Sequence, residues 1–145
     1  MPYLAYDNNG VVKFYGVPHK EDAERFLVGP HALAGIFYYK EKTETENYWY
    51  PNGVKTALQE FNPLGIRKKL ALNEEVTISN LPEGTQIILR MTKIGVIGAS
   101  KLFKWTPFAK GFYYFTLKKL GYKDKKFIIV VELAPKFRPT FSVTF

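Results

Sequence analysis

The chain has 145 residues, 46% apolar and 23% charged, which is enough for a packed core in one ordinary domain or two small ones and excludes wholesale disorder. It has no cysteine and only two histidines, His19 and His31, so disulfide scaffolds, thiol catalysis, zinc–thiolate fingers and iron–sulfur clusters are excluded. The net charge of +8 is divided: up to Leu64 six basic residues face eight acidic ones, and beyond it fifteen face five, giving −2 and +10.

The start of the chain lacks a basic segment followed by an apolar run, so no secretory signal is expected, and no stretch is long and apolar enough to predict membrane insertion. Tyr3-Leu4-Ala5-Tyr6 and Val11-Val12-Lys13-Phe14-Tyr15 flank Asp7-Asn8-Asn9-Gly10. Asn-Gly supplies the positive φ angles of a tight turn, so a β-hairpin is expected. Residues 20–27 form the best helical candidate, with acids in the first turn and Gly29-Pro30 as a stop. Gly35-Ile36-Phe37-Tyr38-Tyr39-Lys40 reads as a strand, 41–47 as a polar loop, and Tyr48-Trp49-Tyr50 as a strand. Pro51-Asn52-Gly53 then turns into Val54-Lys55-Thr56-Ala57, and a connector at 61–65 sets a boundary between modules of residues 1–64 and 65–135.

The second module is more regular. Leu70 and Leu72 lead into Val76-Thr77-Ile78-Ser79, whose alternation puts Val76 and Ile78 on one face. Leu81-Pro82-Glu83-Gly84 is a turn, and Gln86-Ile87-Ile88-Leu89-Arg90-Met91 the next strand. After a break at Gly95 and Gly98 come Leu102-Phe103-Lys104-Trp105 and Phe112-Tyr113-Tyr114-Phe115-Thr116-Leu117. Gly121-Tyr122-Lys123-Asp124 turns into a buried strand over 127–133. Strands at this spacing predict a mainly β chain: a small N-terminal β module with one short helix, then an antiparallel, Ig-like β-sandwich. Residues 136–145 are a C-terminal extension ending in the strict alternation Phe141-Ser142-Val143-Thr144-Phe145, an edge strand or one exchanged between copies.

The run Val76-Thr77-Ile78-Ser79-Asn80-Leu81-Pro82-Glu83-Gly84-Thr85 resembles the strand-turn of small Ig-like, carboxypeptidase-regulatory-like modules. Residues 111–117 with Gly121-Tyr122-Lys123-Asp124 resemble the other half of such modules. The opening hairpin, Tyr48-Trp49-Tyr50-Pro51-Asn52-Gly53 and Phe61-Asn62-Pro63 are similar, in the same order, to the N-terminal part and connector of short tailed-bacteriophage tail proteins. The resemblance implies a virion structural component at the tail tip, baseplate or fibre attachment. The lysine-rich second module departs from the acidic character usual in that group.

Residues suited to chemistry are sparse. His19 and His31 flank the short helix without a carboxylate motif. Glu74 and Glu75 are adjacent, so on a strand they point to opposite faces and cannot flank one scissile bond. Gly95-Val96-Ile97-Gly98-Ala99-Ser100-Lys101 fails the spacing of a phosphate loop. No enzyme activity, metal or cofactor is expected. Contact surfaces are better represented. Lys118, Lys119, Lys123, Lys125 and Lys126 crowd one hairpin, and Lys101, Lys104 and Lys110 flank Trp105 and Phe108. On the strand over 112–117 one alternating set fills a core, which leaves Phe112 and Tyr114 for a partner. The candidate interface is therefore Trp105, Phe108, Phe112, Tyr114, Lys118, Lys119, Lys123, Phe141, Val143 and Phe145. Its expected partners are other virion subunits in a homo-oligomer or multi-copy assembly. Alternative readings are a single-stranded nucleic-acid-binding module, since lysines with exposed aromatics hold such strands, and a capsid or collar decoration protein.

Overall fold

The computed structural model describes residues 2–133. The described chain is mainly β and divides into two compact units, Met1–Glu60 with Lys119–Asp124, and Phe61–Lys118 with the chain from Lys125 onward.

In the first unit β1 (Tyr3–Tyr6) and β2 (Val12–Val17) form the opening hairpin. The Asp7 carboxylate accepts the N–H groups of Asn9 and Val11, both at 2.9 Å, and Gly10 takes the positive φ, +85°. A Cβ at Gly10 would lie 2.5 Å from the Tyr50 carbonyl carbon, so this position needs glycine for conformation and for space. β3 (Gly35–Tyr38) pairs with the other side of β1, giving the order β2-β1-β3. The central strand supplies Leu4 and Ala5 to the interior.

The expected helix is present as α1 (Lys20–Glu24), continued by a tighter 3-10 turn over Arg25–Leu27. It buries Ala23, and Phe26 stacks on Phe14 at 4.7 Å. The expectation of a plain polar loop over 41–47 is overturned, because Thr43–Asn47 is a second helix, α2. In its first turn the Glu44 carboxylate reaches back to the N–H groups of Lys40 and Glu41 at 2.7 and 2.9 Å. It also pairs with Lys55, and so ties the first turn of the helix to the chain before it and to the residue that leads into a later strand. β4 (Tyr48–Trp49) and β5 (Thr56–Ala57) then form a two-stranded ribbon around the Pro51–Gly53 turn. Leu4, Tyr39 and Tyr50 make the core, with Tyr50 stacked on Tyr6 at 5.2 Å and tilted against Phe37 at 4.9 Å. The segment Lys119–Asp124 completes this unit. Gln59 donates its N–H to Gly121 and accepts that of Lys123, both at 2.9 Å. Gly121, at φ +86°, leaves room for the Trp49 ring.

The second unit contains β6 (Lys69–Ala71), β7 (Val76–Ile78), β8 (Gln86–Leu89), β9 (Thr92–Val96), β10 (Phe103–Trp105), β11 (Gly111–Lys118) and β12 (Lys125–Glu132). Five strands form one sheet in the order β6-β12-β11-β8-β9, and β10 pairs with β7 in a second. Phe103 and Trp105 of the small sheet meet Phe115 of the large one at ring distances of 6.1 and 5.0 Å. Val76, Ile78, Ile87, Leu117, Ile129 and Val131 fill the space between, so the two layers share one core. The Leu81–Thr85 turn is built in as its sequence dictates. Leu81 is buried, Gly84 has φ +88°, and the buried Thr85 hydroxyl donates to the Pro82 carbonyl at 2.6 Å.

Two features depart from the sequence reading. The region read as a glycine break contains the strand β9, joined to β8 by a two-residue turn at Arg90-Met91. Arg90 holds φ +59° there although it is not glycine. Its N–H donates to the Tyr114 carbonyl at 2.7 Å, and its guanidinium lies over the Tyr113 ring at 5.3 Å. The second is that β6 runs parallel to β12, from Lys69 opposite Val130 to Ala71 opposite Glu132, while the other strand pairs of this unit are antiparallel.

Candidate functional site

The pleat of β11 and β12 decides which side chains face inward. Tyr113 opposite Ile129 and Phe115 opposite Phe127 point toward the core, so the pairs between them must point away. Those outward pairs are Phe112 with Val130, Tyr114 with Ile128, and Thr116 with Lys126. Phe112 is 59% exposed, Tyr114 52% and Ile128 46%. Aromatic and aliphatic groups thus stand side by side on a solvated sheet face, where alternation ordinarily places polar residues.

These residues line a groove of about 830 Å3 together with Ile66, Lys68 and Lys126. A second hollow of about 490 Å3 shares Phe112 and Val130 with it and reaches Lys110 and Leu133. The apolar floor therefore continues to the point where the described chain ends.

The open backbone of β12 lies beside this groove. β6 covers only residues 130–132 of that strand, and the Val130 N–H donates to the Lys68 carbonyl at 2.8 Å. Among the described residues no strand pairs with residues 125–129 on the side away from β11. Half of β12 is thus an edge strand, with backbone donors and acceptors available to an added strand.

The other interface candidates fall in different places. Trp105 packs edge-on against Tyr113 at 4.8 Å and against Phe115, inside the sandwich. Phe108 is 87% exposed in the loop before β11. Lys118 ends β11, whereas Lys119 and Lys123 belong to the first unit, and Lys123 pairs with Glu60 at 3.5 Å. Phe141, Val143 and Phe145 lie outside the described residues. The sequence reading missed Ile66, Lys68, Ile128 and Val130. It took 127–131 as buried throughout, although counting outward from the Lys119–Asp124 turn would have set Ile128 beside Tyr114.

The residues weighed for chemistry are not among those that line the groove. His19 sits at the N-terminal end of α1, and both it and His31 are exposed. The Glu74 carboxylate takes the Ala71 N–H at 3.0 Å and the Arg67 guanidinium at 2.7 Å, and these bonds hold its pKa below the usual range. It ties the turn before β7. Gly95 lies within β9. Among the described residues no cluster of three or more metal-ligating side chains occurs, and no helix is long and apolar enough to cross a membrane. Comparison with protein-family models, with curated proteins and with solved structures finds no match for this chain.

Proposed function

We propose that this chain is a non-enzymatic structural subunit of a tailed-bacteriophage particle, at the tail tip, baseplate or fibre attachment, and that it works through contacts made by the outer face of its large sheet. The observation that carries the contact reading is the row of Phe112, Tyr114 and Ile128, exposed together on a groove floor. Covering such a side chain contributes roughly 1.5–3 kcal/mol each, and aromatic anchors of this kind dominate subunit interfaces. The class of particle rests on the ordered resemblance of the hairpin, connector and Leu-Pro-Glu-Gly-Thr turn to short tail proteins. The charge division supports docking as well. By unit, eight basic and nine acidic residues give −1, against thirteen and four giving +9, so the second unit suits an acidic neighbour.

The test is mass spectrometry of purified virions, comparing the parent chain with a Phe112→Ser/Tyr114→Ser variant. The parent is expected in the particle and the variant depleted by about tenfold or more. Absence of the parent chain from particles would reject the reading.

One observation favours a second reading. Lys68 and Lys126 share the groove with Phe112 and Tyr114, the pairing of cations and stacking platforms that holds single-stranded nucleic acid. That reading requires oligonucleotide affinity at low salt that falls linearly with log salt.

A further inference from the structure

The open edge of β12 and the charge around it together specify what would cover the groove. Val130 turns its N–H toward β6, where the Lys68 carbonyl accepts it. Strand residues two apart send their backbone groups to the same side. Ile128 and Lys126 therefore turn theirs the same way, and among the described residues no strand meets them there. The same two residues put their side chains on the outer face, one apolar and one cationic. A strand added here bonds to both and lays its own alternate side chains beside them. The phosphodiester backbone of a nucleic acid carries no N–H group and cannot close that ladder.

The charge selects the occupant. Lys68 and Lys126 line the groove, and the exposed Lys69 stands opposite Val130. None of the three pairs with a carboxylate among the described residues. The acid nearest in the strand, Glu132, lines the second hollow at the other end, so the negative charge of an occupant belongs beside Lys126. This chain is poorly suited to supply it. The acids Glu21, Asp22, Glu24, Glu44 and Glu46 are built into α1 and α2, and residues 134–145 contribute Lys136 and Arg138 and no acid. A second copy would bring the same positive unit to the same positive face.

We infer that the open edge of β12 receives an extended segment of a different, acidic protein, which sets an apolar side chain beside Ile128 and a carboxylate, two residues away, beside Lys126. The inference rests on the subunit reading above and names the chemistry of the neighbouring subunit.

Fluorescence anisotropy on the full-length protein tests it with a short labelled threonine-rich peptide carrying valine and glutamate two places apart. This peptide is expected to bind at low salt. Placing the valine and glutamate next to each other turns them to opposite faces, and should weaken binding about tenfold or more. Methylating their two backbone nitrogens should do the same, because those N–H groups face β12. The variant Lys68→Glu/Lys126→Glu changes only exposed positions. It should lose the glutamate peptide by a similar factor and gain affinity for the matching lysine peptide, a gain that requires a folded protein. No binding, or binding indifferent to the spacing, the methyl groups or the charge reversal, would overturn the inference. Binding that emerges only with Phe141→Ser/Phe145→Ser would identify residues 141–145 as the occupant and overturn it as well. So would binding of a single-stranded oligothymidylate with none of the peptide. Failure here is separable from failure of the subunit reading: particle incorporation lost with Phe112→Ser/Tyr114→Ser but unchanged by Lys68→Glu/Lys126→Glu removes only the acidic strand.

Discussion

On the inner face of β11 and β12, Phe115, Leu117, Ile129 and Val131 are at most 2% exposed, while on the outer face Phe112, Tyr114 and Ile128 stand between 46% and 59%. The two sets come from the same two strands, one residue out of step, and are equally apolar. The apolar character of a strand residue therefore does not by itself say whether it is covered within the molecule. For the inner set the cover is the small β7–β10 sheet, through Phe103 and Trp105. For the outer set the fold supplies none among the described residues, and this difference is the strongest functional signal in the molecule.

Substitutions should separate the two faces in order of effect. Phe115→Ala or Ile129→Ala opens a cavity in the core and should cost about 3–5 kcal/mol in chemical denaturation. Phe112→Ala or Tyr114→Ala should cost less than about 1 kcal/mol in the same experiment. Equal losses on both faces would erase the distinction between them. Gly121→Ala tests a different kind of cover. The new methyl group would meet the Trp49 ring at 2.8 Å from a backbone at φ +86°, and a loss of roughly 1–3 kcal/mol is expected.

Tyr50→Phe should move stability the other way. The Tyr50 hydroxyl is buried without a hydrogen-bond partner among the described residues. Burial, with the nearby Glu44 charge adding to it, pushes its pKa up to about 12. Removing an unsatisfied buried hydroxyl should gain about 1 kcal/mol, and a comparable loss on denaturation would show that the group is satisfied. The smallest effect is electrostatic. The Lys55 ammonium and then the N–H groups of Glu41 and Lys40 hold the Glu44 carboxyl down at about 2, against an ordinary 4.5. A lowered folded-state pKa contributes stability that is complete above the unfolded value and drains away as the pH falls toward the folded one. Thermal melts of the parent should therefore fall more steeply than those of Glu44→Gln between about pH 5 and about pH 2. Parallel curves would remove Glu44 from the account of α2.

The sequence showed those parts of the fold whose causes are local. Asn9-Gly10 announced the first hairpin, Gly29-Pro30 the end of the helix, and Pro82 with Gly84 the turn into β8, because proline fixes the backbone where it stands and glycine permits the positive φ found at Gly10, Gly29 and Gly84. The misses had causes that a local reading could not see. The turn at Arg90-Met91 has no glycine, asparagine or aspartate, and its positive φ is accompanied by bonds to Phe112 and Tyr114. In helix α2, Glu44 pairs with Lys55, eleven residues further on. For the candidate site, alternation put Phe112 and Tyr114 on one face of their strand, and the structure leaves both exposed. Their neighbours Ile128 and Val130 were hidden in a run that looks buried, because only the register of pairing reveals which members face outward.

The segment Lys119–Asp124 has a consequence for how the molecule can be made and cut. It belongs to the first unit, bonded through Gly121 and Lys123 to Gln59, although it is synthesised after most of the second. On a ribosome the first unit must wait, incomplete at Gln59, until those residues emerge. No single cut in the chain releases it whole, and a fragment ending at Glu60 would leave Trp49 without the glycine loop it packs on. The two units are interleaved in sequence, so a truncation that looks modular would damage both.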